Sequence, residues 1–333
     1  MRLPIPPALQ RLGVDGFLLA LVAAVALAWA FPAPGVTGGP LHAEFASTVG
    51  VAILFFLYGL KLSPKNLRAG LVRWPLHLLV QTTTFAVFPI VVLGFAAATG
   101  GLPARELALG FFLIAALPST VSSSVAMTAI AGGNVAGAIF NATLSNLIGV
   151  FVTPLWVAWY LSTSGAALEL GPVVVKIVLL LLAPVAVGQA VRPWLAGWAA
   201  RNDKLTRHYD RAVIVVIVYN AFADSMVAGV WTQHGPGTIL GLLAAAIALF
   251  AVVSAVTIGP ARALGLPRGD LIAAQFCGST KSLATGVPMA KVMFGADPAL
   301  GLILAPLMVY HLFQLVASSV IARHLAGSAA PRP

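Results

Sequence analysis

Acidic residues and cysteine are almost missing from this chain: nine Asp and Glu and one Cys among 333 residues, with charged side chains of all kinds at 8%. A lone Cys277 leaves no intrachain disulfide and no multi-thiolate metal site. H-E-x-x-H, G-x-S-x-G and paired aspartates inside an apolar run are also absent. Neither metal-assisted nor acid/base hydrolysis then has a constellation of residues, and an enzyme is not expected. The net charge of +10 comes without basic-aromatic clusters, and its members sit between apolar runs. That argues against nucleic acid as a partner and for loops on one side of a membrane.

What the chain has in excess is apolar residues, 60% of the total, with mean hydropathy +0.98. A soluble domain of that composition would have too little polar surface, so the lipid bilayer is the first partner. Windows of about 20 residues, the length that crosses a bilayer, mark spans near 14–31, 44–60, 75–98, 107–131, 135–161, 172–191, 212–230, 237–260, 271–292 and 299–322. The expected fold is all-α and polytopic, with ten transmembrane helices. Arg2 and Arg11 ahead of the first run, and Ala28-Trp29-Ala30 after it, have the outline of a signal peptide. The length of the run and the bulk of Trp29 favour an uncleaved span.

With the N-terminus in the cytoplasm, 15 of the 19 Lys and Arg fall on the inside, including Lys61, Lys65, Arg68, Arg73 and the run from Arg192 to Arg211. Arg105, Lys176 and Lys291 fall outside, and Lys281 falls within a span. Both termini are therefore expected in the cytoplasm, of a bacterial inner membrane or a plasma membrane. Five spans per half is an odd number, so the second half enters the membrane with reversed polarity. The chain reads as one transmembrane domain over 1–333, built from inverted repeats at about 12–161 and about 171–325 and joined by a basic cytoplasmic linker at 192–211.

Two polar interruptions, PSTVSSS at 118–124 and GSTKS at 278–282, lie within the fourth and ninth spans. A break at membrane depth is tolerated only where protein or a water-filled cavity satisfies the freed backbone, and matching breaks in two halves point to a transport site. Ser119, Thr120, Ser122, Ser123 and Ser124 offer five hydroxyls to a cation or to the broken backbone, and the half-helix after them aims its positive end at the cavity. One or two of them would suffice to satisfy the break or to let helices pack.

These residues, with GGNVAGAIFN at 132–141, FCGSTKSLATGVPM at 276–289 and PLMVYH at 306–311, resemble the bile acid:sodium symporter superfamily. The likeness is closest to its SBF-like branch, which includes the vertebrate solute carrier 10 member 7 proteins and bacterial relatives. It implies that helices 4 and 9 break and cross within a core of helices 3–5 and 8–10, that helices 1, 2, 6 and 7 form a panel, and that a small organic anion is carried by alternating access. It also implies sodium ligands: a hydroxyl at Ser123 or Ser124, a group near Asn141 or Thr143, an amide on the third span near Gln81 or Thr84, and a carboxylate and an amide on the ninth span.

On that ninth span the chain departs from the pattern, with Phe276 in the carboxylate position and Lys281 in the amide position. A lysine at mid-span costs about 2.5–3.5 kcal/mol. Placed about 4 Å from sodium it would repel the ion by roughly 4 kcal/mol at an effective dielectric of 20. Lys281 is thus expected to replace one bound cation, held by half-helix carbonyls and by the hydroxyls of Ser279, Thr280 and Ser282, or else to carry a coupling proton. A lysine paired permanently with a carboxylate is the structural alternative. Asp224, one turn after Asn220 in YNAFADS, is the candidate partner. Gln275, ahead of the second break, is expected to line the cavity. His77, Gln81, His311 and Gln314 form interhelical polar patches. No cofactor is expected beyond Na+ or H+ as coupling ion. A sodium-independent or proton-coupled permease, or a non-transporting membrane regulator of the same fold, are the other readings.

Overall fold

Peptide groups find no partners in lipid, so a chain this apolar must satisfy them within its own elements. In the computed structural model, residues 16–61, 73–99, 104–163, 175–295 and 297–327 are described, and every regular element among them is a helix. In chain order they are α1 Gly16–Ala30, α2 Ala43–Lys61, α3 Trp74–Thr99, α4 Arg105–Ala116, α5 Ser122–Ile130, α6 Val135–Thr163, α7 Val175–Ala190, α8 Arg192–Arg201, α9 Asp203–Val227, α10 Pro236–Ala263, α11 Arg268–Ser279, α12 Leu283–Phe294 and α13 Leu300–Gly327. Arg2, Arg11, Lys65, Arg68 and Arg332, on which part of the charge bias rests, lie outside the described residues, as do the first residues of the spans expected at 14–31 and 172–191.

Among the described residues, five helices are long and apolar enough to cross a membrane: α2, α3, α6, α10 and α13. A sixth follows if α7 and α8 are taken as one bent span, although the chain turns by 97° between them. The segment 192–211, expected as a linker, is almost wholly helical. Pro193 starts α8, where its missing N–H costs nothing, and Trp194 (77% exposed) and Trp198 stand on its surface. Exposed tryptophans on a short helix with arginine at both ends suit the headgroup layer. Elsewhere the outward side chains are those of a lipid-facing belt, as on α10, where Ile239, Leu240, Leu243, Ile247 and Val252 are exposed.

The two interruptions break their helices by different means. Leu117 precedes Pro118, which pushes it into extended backbone (φ −70°, ψ 153°) and ends α4. The second break has no proline. Ser279 and Thr280 turn their hydroxyls back onto the carbonyls of Gln275 and Phe276 (2.6 and 2.7 Å), Thr280 is extended (φ −107°, ψ 148°), and Ser282 caps α12 by accepting from the Thr285 N–H at 3.1 Å. Each broken pair is followed by a long helix, α6 or α13, that packs beside it. A further irregularity lies in α3, where Thr83–Val87 form a π-helical turn.

Close backbone approach fixes how α2 meets α7. A Cβ on Gly59 would stand 2.2 Å from the Val185 carbonyl oxygen, and one on Gly188 would stand 2.2 Å from that of Phe56. Helices in lipid gain packing energy from such contacts, because no hydrophobic effect drives them together. Gly188→Ala is therefore expected to cost about 1–3 kcal/mol, seen as a lower melting temperature in detergent. Gly241→Ala, at a position with nothing within 4 Å, should leave the melting temperature unchanged; equal effects would remove the close-approach account.

Candidate functional site

The two breaks meet. The Ser282 N–H donates to the Pro118 carbonyl at 2.9 Å, and Thr280 Oγ1 lies 2.8 Å from Ser124 Oγ, 3.3 Å from Thr120 Oγ1 and 3.5 Å from Ser119 Oγ. Ser124 also donates to the Phe276 carbonyl at 3.1 Å. Each break is then serviced by the long helix that follows it. On α6, Ser145 accepts from the Ser119 N–H (2.9 Å), Asn146 donates to the Ser119 carbonyl (3.1 Å) and Thr153 donates to the Ala116 carbonyl (2.7 Å). On α13, Tyr310 donates to the Ser279 carbonyl (2.7 Å), and the Gln314 amide both accepts from the N–H of residue 281 (2.7 Å) and donates to its carbonyl (2.8 Å). Buried backbone groups freed by a break are thereby paired.

Ser119-Thr120-Val121-Ser122 and Ser279-Thr280-Lys281-Ser282 differ at one position. Val121 is exposed and lines the cavity described below, whereas Lys281 is fully buried. The Lys281 ammonium donates to the carbonyls of Thr84 (2.8 Å), Ala115 (2.9 Å) and Leu117 (2.7 Å), and stands 3.9 Å from the centre of the Phe88 ring. Three acceptors match the three donors of an ammonium, and the aromatic face is a fourth cation-favouring group. Ala115 and Leu117 form the carbonyl end of α4, where a positive charge is favoured, and Thr84 belongs to the π-helical turn of α3. A residue of the second break thus caps a half-helix of the first.

Two expectations about this lysine need correcting. The hydroxyls of Ser279, Thr280 and Ser282 do not hold it, because the first two bond back within α11 and the third caps α12. Nor is Asp224 its partner. The Asp224 carboxylate accepts from the Thr37 N–H (2.7 Å), from Thr37 Oγ1 (2.8 Å) and from Asn220 Nδ2 (3.3 Å), and Asn220 Oδ1 accepts from Lys291 at 2.7 Å. Among the described residues no carboxylate pairs with Lys281. Its charge is held by backbone dipoles.

A cavity of about 610 Å³ opens onto the breaks. Thr120, Ser122, Ser123, Ser282 and Thr285 give it polar walls together with Thr143, Asn146 and His311, and Leu147, Val150, Ile214 and Leu315 are among its apolar residues. Thr120 Oγ1 accepts from the Ser124 N–H at 3.3 Å, so the first turn of α5 is capped from within the break. Lys61, Asp203, Arg207, Asp210 and Arg211 stand on its rim. Asp203 pairs with Lys61 at 3.5 Å and with Arg207. Asp210, two residues ahead of the span expected at 212–230, keeps a buried Oδ1 without a donor. Its carboxyl is lifted to about 6, first by burial and then by the Asp203 charge, against the pull of Lys61.

The other expected residues are dispersed. Gln275 does not line this cavity; it is buried and donates to Ser254 on α10 at 3.0 Å. Asn141 donates to the Gly137 carbonyl, and Gln81 reaches the Asn141 carbonyl and Oδ1 (3.1 and 3.3 Å), so that pair joins α3 to α6. No bond links it to Ser123 or Ser124, whose hydroxyls turn to Thr120 and, for Ser124, to Thr280 and Phe276. Thr84 contributes its carbonyl to the lysine cage while its hydroxyl bonds back to Val80. His311 lies 2.8 Å from Gln314 and faces the cavity. Asn146, Ser145, Thr153, Tyr310 and Thr285 escaped the sequence reading. The one available signal was that Ser, Asn and Thr recur in the span following the first break.

The family model of the SBF-like CPA transporter family matches residues 15–327. An uncharacterized protein of Pseudomonas aeruginosa is 41% identical over 312 residues, covering 94% of this chain and 93% of that protein. YfeH of Escherichia coli is 40% identical over 310 residues, 93% of this chain and 92% of its own length. Sodium/bile acid cotransporter 7 of Rattus norvegicus is 31% identical over 323 residues, 94% of this chain and 93% of its own.

The rim carboxylate gives a pH test. Asp210 binds a proton more tightly in the folded state than at its ordinary 3.8. Its proton-linked stability is complete below that value and is lost as pH rises through about 6. Asp210→Asn mimics the protonated group, so it should stabilise the protein at pH 8 by about 2 kcal/mol after allowance for solvent at the rim. That advantage should vanish below about pH 4. Melting curves at the two pH values check it, and a pH-independent difference would refute it.

Proposed function

The chain belongs to the SBF-like CPA transporter family, and we propose that it is a secondary carrier that moves a small organic anion across the membrane by alternating access around the two meeting breaks. In this reading it is one transmembrane domain of ten helices in two inverted repeats, about 12–161 and about 171–325, with α1, α2, α7 and α9 as the panel and the rest as the core. Both termini face the cytoplasm of an inner or plasma membrane. The shared Ser-Thr-x-Ser pattern of the two breaks, and their matching service by α6 and α13, support the repeat. The cavity that reaches both breaks supports a transport path. Ser122 and Ser123, in the first turn of α5, line the cavity and offer hydroxyls to an anion at the positive end of that helix.

The observation that carries the ion-coupling part is the cage around Lys281. Three carbonyl oxygens and a ring face are what a bound alkali cation would require, and the ammonium already fills them. Sodium does not fit there alongside it, and Phe276 supplies no carboxylate. Lys281 then acts as a tethered cation that keeps the breaks charged and assembled without an ion being taken up. A second sodium site at Ser123, Ser124 and Asn141 would need those residues to regroup. Coupling to a proton is the alternative favoured by Asp210, which lines the cavity and titrates near 6.

If Lys281 substitutes for a cation, emptying its cage should create a dependence that the parent protein lacks. Wild-type melting temperature should be the same in sodium and in choline chloride. Lys281→Ala should lose stability in choline and regain at least half of the loss in sodium or methylammonium. Lys281→Met, which fills the space with an apolar side chain, leaves three carbonyls without donors, costs about 1–3 kcal/mol for each group left unpaired, and should not respond to sodium. A sodium response in the wild type, or unchanged transport in Lys281→Met, would sink the proposal.

A further inference from the structure

The end of α9 away from the cavity rim carries a second polar assembly, in which a buried lysine is held by a neutral group. Asp210 on the rim and Asp224 are 14 residues apart on α9, about 21 Å at 1.5 Å per residue. Around Asn220 and Asp224 the structure is shut. Ser225 donates to the Pro298 carbonyl at 2.7 Å and accepts from the Gly301 N–H at 3.0 Å, and a Cβ on Gly301 would lie 3.1 Å from Ser225 Cβ. Asn220 donates to the Gly35 carbonyl at 2.9 Å. These contacts tie α9 and the loop before α2 to the start of α13, and they form a seal on the face opposite the cavity.

Lys291 lies within that seal on α12, the half-helix that begins at the second break. It is 8% exposed, and among the described residues its ammonium makes one hydrogen bond, to Asn220 Oδ1 at 2.7 Å. Lys281, by comparison, has three acceptors. The carboxylate that could neutralise Lys291 is already engaged, since Asp224 accepts from the Thr37 N–H, from Thr37 Oγ1 and from Asn220. Among the described residues neither Glu44 nor Asp297, the acids nearest in chain to this assembly, forms an ion pair with Lys291. A buried ammonium with one neutral acceptor has unused donors and is poorly compensated. Any motion that parts α9 from α12 must break the bond to Asn220 and bare the charge to the newly opened side.

We infer that Lys291 is the residue that takes the charged end of the transported anion when the seal opens, and that Asn220 holds its place while the seal is shut. This rests on the carrier reading above and extends it, because it gives the pathway an anion-binding group on a face that the cavity at the breaks does not reach. An incoming carboxylate or sulfonate displaces a neutral amide, not a carboxylate, so capture needs no ion pair to be broken first. Asn220 bridges the two groups, accepting from Lys291 and donating to Asp224 at 3.3 Å, so the carboxylate stays near the ammonium without pairing with it.

The test uses sealed proteoliposomes of defined orientation and radiolabelled taurocholate, an anion of the class in the rat relative's name, presented at either face. Lys291→Gln should raise KM at the seal face at least tenfold and leave KM at the cavity face within twofold, while Lys291→Arg restores the wild-type value. Asn220→Ala, which frees the ammonium without removing it, should lower KM at the seal face at least threefold, and it serves if the glutamine variant does not fold. Oxidised Ser225→Cys/Gly301→Cys should abolish uptake from the seal face and recover on reduction, with the buried Cys277 as the only other thiol. Unchanged seal-face KM in Lys291→Gln, or an equal rise at both faces, overturns the inference alone. Absence of uptake by the wild type overturns the carrier reading and this inference with it.

Discussion

A single ammonium group binds the two halves of this protein at the place where each is weakest. A half-helix that ends inside a membrane leaves carbonyl oxygens pointing at nothing, with the negative end of its dipole exposed to a low-dielectric surround. The end of α4 is in that position, and the charge that compensates it comes from 164 residues further along the chain, through the bond from Lys281 to Leu117. The other half of the interaction is equally needed. A lysine in mid-membrane is costly unless its donors are satisfied, and two carbonyls of the first break with one from the π-helical turn of α3 satisfy all three. Neither feature is affordable alone.

The rest of the site follows from that mutual dependence. Once the breaks are held together, their hydroxyls form a continuous polar cluster through Ser119, Thr120, Ser124 and Thr280. The first turn of α5, capped by Thr120 at the Ser124 N–H, then faces the cavity through Ser122 and Ser123. α6 and α13 supply neutral side chains to the remaining peptide groups, so the charge at 281 does not have to serve the whole break. Burial of this kind is stable because it is complete, and a network with one member missing would be worse than an apolar core.

The all-helical, membrane-spanning class was legible in the sequence because it depends on long apolar runs, which act locally. The position of the breaks was legible for the same reason: Pro118 and the Ser-Thr clusters interrupt α4 and α11 from within. The surroundings of Lys281 were not. Its acceptors are backbone carbonyls of Thr84, Ala115 and Leu117, and a carbonyl is carried by every residue, so residue type gives no signal. Asp224 attracted attention as an acid in an apolar setting, yet its neighbours are set by the loop at Thr37 and by the register of α9 against α12. Gln275 failed for a related reason, since one turn of helix directs it to α10 and away from the cavity.

The Gln314 amide grips residue 281 by its peptide N–H and C=O, as an adjacent strand would, while the ammonium bonds to other carbonyls. The backbone at this position is therefore held by a device indifferent to what is attached to it. It behaves as a socket: the chain path through the break is fixed by α13, while the group that projects into the cage can be exchanged. If Lys281 replaces a bound ion as proposed, a scaffold built this way lets a tethered charge give way to a dissociable one at a single position, provided that an ion refills the cage. That gives one structural route by which carriers of a common architecture diverge in the ion they depend on.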